Sequence, residues 1–110
     1  MKPDLRPLEN IYKDIETYRR RKEKEAERLI KQIFKTGMRI SCIKHSHTEG
    51  KDIRVTGIIS HIGEGSEWYY ARILLDPKWW DAIKQNNMAP EHEVWLALSD
   101  PNEKIEIIEA

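Results

Sequence analysis

The chain has 110 residues, 39% hydrophobic and 35% charged, which is enough for one small core and too little for two. Its 19 basic residues balance its 19 acidic ones, which speaks against a general polyanion binder. The lone cysteine, Cys42, excludes an internal disulfide, and no window approaches the ~20 apolar residues of a membrane span or carries a signal-peptide core. The expectation is a single cytoplasmic domain over 1–110, with no membrane partner.

In chain order, the spacing first predicts a helix over 4–36. Leu8, Ile11, Ile15 and Tyr18 recur at steps of three and four, and Ala26, Leu29, Ile30, Ile33 and Phe34 resume the pattern. Asp4 is the candidate cap, Pro7 fits a first turn, and Gly37 is the natural stop. Thirty-three residues would make roughly 50 Å of helix, longer than a small barrel is wide. The middle, RRRKEKE at 19–25, has no apolar residue. Its acids alternate with its bases, and oppositely charged residues four apart, such as Glu16 with Arg20 and Glu27 with Lys31, favour a solvated helix over a nucleic-acid patch. The second half of this helix is expected to dock on the rest of the chain. The first half either folds back or packs on another molecule, with a homodimer through this helix as one outcome.

From Met38 the period changes to two. Strands are expected at 38–45, 51–63, 67–76, 92–100 and 104–110, with polar or glycine-containing turns between them. Gly57, inside the second strand, suggests a bulge or a sharp bend. Asp76 and Pro77 open a short helix expected to run to 86. Val94, Leu96 and Leu98 alternate inward in the fourth strand, as do Ile105 and Ile107 in the fifth. The fold class is therefore α+β: a long N-terminal helix (4–36), then a small, partly open, five-stranded antiparallel barrel (38–110) with a short helix between strands three and four. An SH3-like barrel suits the bend at Gly57 and the short last strands. An OB-fold, which places a helix in the same slot, is the alternative.

The run AERLIKQIFKTGMRISCIKHSHTEGKDIRVTGIISHIG, with WLALSDPNEKIEIIE further on, resembles the YolD-like family of small bacterial and phage proteins. Val55, Thr56, Gly57, Ile58 and Ile62, then Ile105 to Ile108, carry the likeness, which covers about the last eighty residues. Residues 76–92 would be an insertion, and the charged N-terminal helix lacks the Lys-Trp motif of the family's start. The resemblance implies an SH3-like or Sm-like barrel and a noncatalytic accessory role near translesion-type DNA polymerases.

Catalytic chemistry finds little support. His45 and His47 form an H-x-H pair, and Cys42 and His61 are the further candidate metal ligands, yet Cys42 alternates with core positions and His47 falls in a turn. No nucleophile elbow surrounds Cys42, and neither GxGxxG nor GKS/T is present. The expectation is no enzyme, no metal and no cofactor. The best functional lead is EWYYARILLDPKWW (67–80), which holds five of the chain's nine aromatic residues. Its strand is apolar on both faces, with Trp68, Tyr70 and Leu74 on one and Tyr69, Ala71, Ile73 and Leu75 on the other. A barrel core needs only one face. Trp80 and Ile83 are expected to pack inward and Trp79, with one tyrosine, to stay outside. Trp, Tyr and Arg anchor protein contacts, so the expected function is a protein-binding adaptor, regulator or inhibitor. Trp68, Tyr69, Trp79, Trp80, Arg54, Arg72, Lys78, Ile11, Ile15 and Tyr18 are its candidate contacts. The alternative is a single-stranded nucleic-acid binder that stacks bases on the aromatics, with Lys51, Arg54, Arg72 and Lys78 supplying charge.

Overall fold

The computed structural model describes residues 4–84 and 88–109. One helix, α1 (Arg6–Ile33), precedes five strands: β1 (Arg39–Ser46), β2 (Lys51–Ile62), β3 (Tyr70–Leu75), β4 (Glu93–Ala97) and β5 (Glu106–Glu109). All strand pairs are antiparallel, in the order β4-β3-β2-β1-β5. This is the expected α+β class with a partly open barrel. β1 to β4 form a meander and β5 returns to β1, the order of the SH3-like form; the Greek-key exchange of an OB-fold is absent among the described strands.

Alternation places Ile40 and Cys42 of β1, Val55 and Ile59 of β2, Ala71, Ile73 and Leu75 of β3, and Val94 and Leu96 of β4 in one buried core. Each fully buried aliphatic side chain contributes about 1.5–3 kcal/mol. Gly57 faces the same interior and pairs with Ile40 on one side and Leu75 on the other. A Cβ there would lie 2.5 Å from the Leu74 carbonyl oxygen, so only glycine lets β2 and β3 approach so closely. The bulge itself falls later, between Ile59 and His61.

The barrel does not close through strand pairing. The Lys44 ammonium of β1 instead reaches the carbonyl of Trp95 on the β4 edge and the Glu103 carboxylate, each at 2.7 Å. Both charged side chains are largely buried. A side-chain clasp thus ties β4 to β1 and to the Pro101–Glu103 turn that leads into β5.

Several boundaries move for local reasons. Helix α1 is continuous but ends at Ile33, three residues early, because Phe34 turns extended and packs on the core. Gly37 then makes a left-handed turn and donates to the Ile59 carbonyl at 2.8 Å. Asp4 does not cap the helix through the usual position. Leu5 stands there, and Asp4 accepts from the Arg6 amide at 3.0 Å. The third strand starts at Tyr70, since Gly65–Glu67 form a 3-10 turn and Trp68 follows it. The short helix after β3 is one 3-10 turn, Pro77–Trp79, and its expected end near Asn86 lies outside the described residues. β5 lies at the sheet edge, and Ile107 stays exposed although it pairs with buried Ile40.

The molecule measures 67 × 31 × 22 Å, and its radius of gyration is 18.8 Å. A compact chain of this length would have about 13 Å. The excess is α1. Its 28 residues extend about 42 Å, and only the C-terminal part reaches the barrel, through buried Ile30 and half-buried Ala26 and Glu27.

Candidate protein-docking surface

Every residue from Asp4 to Glu25 is exposed. Leu5, Leu8, Ile11, Tyr12, Ile15 and Tyr18 stand among them, with Ile11 at 54%, Ile15 at 57% and Tyr18 at 63% exposure. Steps of three and four put Leu8, Ile11, Ile15 and Tyr18 along one side of the helix, with Leu5 and Tyr12 bordering them. Intrahelical pairs sustain the arm: Glu16 accepts from Arg20 at 2.7 Å, Arg19 stands 4.0 Å from Glu23, and Lys22 lies over the Tyr18 ring at 5.7 Å. Each is worth a few tenths of a kcal/mol. They hold a helix in water without giving its apolar side anything to cover it.

Where the arm meets the barrel there is a groove of about 450 Å³, lined by Arg19, Lys22, Glu23 and Ala26 of α1 and by Trp68 and Tyr69 across from them. Trp68 packs against the core and meets Tyr69 edge-on at 5.9 Å, while Tyr69 is 47% exposed. Lys22 lies seven residues beyond Ile15, so the arm's apolar line runs into the groove.

The other aromatic candidates lie at the opposite end of β3. Trp79 is half-buried against the core, and its indole N–H donates to Thr56 Oγ1 at 2.9 Å. The Thr56 hydroxyl donates to Asp76, which also takes two hydrogen bonds from Arg39, one of them at 3.0 Å. The Arg39 guanidinium thereby holds the Asp76 carboxyl below the usual range, with Thr56 adding to it against the effect of burial. Asp76 is thus spent on this network rather than on capping the Pro77 turn. Trp80, not Trp79, is the more exposed of the pair, reversing the expectation. Its indole N–H donates to the Leu75 carbonyl at 2.7 Å, and its ring stacks on His92 at 3.7 Å. Ile83 is buried as expected. Lys78 caps the Trp79 ring at 4.9 Å.

The remaining basic candidates are scattered. Arg54 donates to Ser41 Oγ at 2.9 Å and to the Lys104 carbonyl at 3.0 Å, and stands 3.7 Å from Glu106. Arg72 lies over the Trp95 ring at 5.5 Å and 3.9 Å from Glu93. Lys51 opens β2 on the far side of the meander. The structure thus places Trp68 and Tyr69 beside Arg19 and Lys22, at the base of the arm that carries Ile11, Ile15 and Tyr18 farther out, and it separates Trp79, Trp80, Lys78, Arg72 and Arg54 from that place. Trp95 was missed as an outer-face aromatic: it meets Tyr70 edge-on at 5.0 Å. The alternation of Val94 and Leu96 already pointed it outward. Arg19 and Lys22 were missed because only the tertiary contact brings them beside Tyr69.

Cys42 is fully buried, and burial pushes its thiol up to about 11. His45 and His47 are exposed, with His45 3.3 Å from Asp52. Among the described residues no three His, Cys, Asp or Glu side chains converge as a metal would need, and no helix is long and apolar enough to cross a membrane. Comparison with family models, with curated proteins and with solved structures gave no match to this chain.

Proposed function

We propose that this chain is a noncatalytic protein-binding module, with the barrel as anchor and the exposed part of α1 as docking arm. One observation carries the reading: six large apolar side chains, Leu5 at the helix cap and Leu8, Ile11, Tyr12, Ile15 and Tyr18 on α1, stand in water where the chain's own barrel does not cover them. A lone exposed Leu is ordinary, but a contiguous apolar line on a projecting helix fits the helix-in-groove mode of recognition. The role fits an adaptor, regulator or inhibitor in a bacterial or phage cytoplasmic process. The YolD-like resemblance adds an accessory place in DNA transactions to this proposal. Capture from the native host by the full chain, compared with Ile11→Asp/Ile15→Asp, tests it. Loss of specific partners with unchanged circular dichroism is the expected result, and equal capture by both proteins would refute the docking arm.

Single-stranded nucleic-acid binding is the second reading, favoured by Tyr69, an exposed aromatic beside Arg19 and Lys22. It ranks lower because Arg54, Arg72 and Lys44 are engaged by carboxylates, carbonyls or a ring of the chain itself. It requires salt-sensitive tryptophan quenching by an oligonucleotide, and the absence of quenching at low salt dismisses it.

A further inference from the structure

The spacing of the arm's apolar residues is symmetric. From Leu8 to Tyr18 the steps are three, four and three, so the line reads the same from either end. A helix of this kind is its own complement when a second copy runs antiparallel: Leu8 lies opposite Tyr18 of the second copy and Ile11 opposite Ile15 of the second copy. This is the alternation of the two seam positions in an antiparallel coiled coil, related by a two-fold axis near Lys13.

Charge favours the same direction on balance. The basic run Arg19-Arg20-Arg21-Lys22 follows the apolar line, and Asp4 lies at its other end, although Arg6 there would face Arg20. Antiparallel pairing brings Asp4 and Leu5 of the second copy against Arg21 and Lys22. Parallel pairing would set the Arg-Lys run against itself. Asp4 forks onto Arg6 in the single copy, but both side chains are more than half exposed, so exchanging that partner costs little.

The groove completes the fit. It opens beside Arg19 and Lys22, at the point where Leu5 of the second copy arrives, and it offers Trp68 and Tyr69 to an apolar side chain. Each barrel packs on its own α1 from Ala26 onward, so antiparallel pairing about Lys13 sets the two barrels at opposite ends of the pair. We propose that the docking arm's partner is a second copy of this chain, paired antiparallel through Leu8, Ile11, Ile15 and Tyr18, with Leu5 of each copy seated in the other's Trp68–Tyr69 groove. This deepens the docking-arm reading and rests on it.

Sedimentation equilibrium of the full chain tests the pairing. The expected result is twice the monomer mass, with Ile11→Glu/Ile15→Glu weakening association roughly 100-fold or more while helix content at equal concentration below dissociation stays unchanged. Direction is read separately. Leu8→Cys and Tyr18→Cys are made singly and mixed under oxidation, with Cys42 buried and out of competition. A heterodisulfide between the two variants is expected, and homodisulfides alone would overturn the antiparallel arrangement. A wild-type chain that is monomeric at every concentration overturns the self-pairing. If Ile11→Asp/Ile15→Asp then still loses partners from the native host, the docking arm survives with another occupant, whereas a monomer that loses none refutes both.

Discussion

The two parts of α1 obey the same local rules and meet different fates. Beyond Ala26, Ile30 is buried and Phe34 packs on the barrel, whereas Leu29 and Ile33, expected to dock with them, stay exposed because the barrel touches one side of the helix only. Before Glu25, side chains of the same kinds at the same spacing remain in water. Periodicity therefore identifies an apolar side without saying what covers it. Geometry decides: β1 starts only six residues after Ile33, so the barrel can reach the last turns of the helix and no farther. The contrast predicts that the energy of this fold is concentrated in the barrel and the helix end that touches it, and that the arm contributes to association rather than to folding.

Core substitutions should therefore have the largest effect. Ile73 is wholly buried in β3, between strands on both sides. Ile73→Ala should cost about 2–5 kcal/mol in urea unfolding, from lost burial and the cavity left behind. A smaller loss would mean that the barrel relaxes around the hole and is looser than its alternation suggests.

Next comes the clasp that replaces strand pairing at the open side. Glu103→Ala leaves the Lys44 ammonium, largely shielded from water, with only the Trp95 carbonyl. The expected loss is about 1–3 kcal/mol, measured against Lys44→Ala and the double variant in a cycle. Full additivity would show that the two residues do not act together.

The Arg39–Asp76–Thr56–Trp79 network gives a smaller effect with a pH signature. Because Arg39 and Thr56 hold the Asp76 carboxyl below its ordinary range, its contribution is present above the unfolded-state value and is lost as pH falls through the folded-state value. Asp76→Asn should cost about 1–2 kcal/mol at pH 7, and the gap to the wild type should close as pH drops below about 4. A gap that persists at low pH would assign the effect to packing of the Trp79 turn rather than to the carboxylate.

Legibility in the sequence divides along the same line. Strands and inward residues are readable where alternation is local and one face is buried, so Cys42, Val94 and Leu96 can be placed without knowing the topology. Trp68 and Tyr69 look like strand because aromatics favour strands, but a 3-10 turn that opens on left-handed Gly65 and runs to Glu67 delays the strand until Tyr70. Trp79 and Trp80 were interchanged because neighbours on a turn differ by a local rotation that hydrophobicity cannot rank; the Thr56 hydroxyl and the Leu75 carbonyl decide it. The groove was invisible, since Arg19 and Tyr69 are fifty positions apart and only docking of Ile30 brings them together.

The smallest expected effect on folding is the most informative for function. Ile15→Ser replaces a side chain that is 57% exposed by one of similar helix propensity. At dilutions where the chain is monomeric, stability should therefore change by less than about 0.5 kcal/mol. Under the proposed pairing the wild type would gain stability by mass action at high concentration and the variant would not, so their unfolding midpoints should separate as concentration rises. A loss above about 1 kcal/mol that is the same at every concentration would place Ile15 against its own barrel, and the distinction between the two parts of α1 would fall with it.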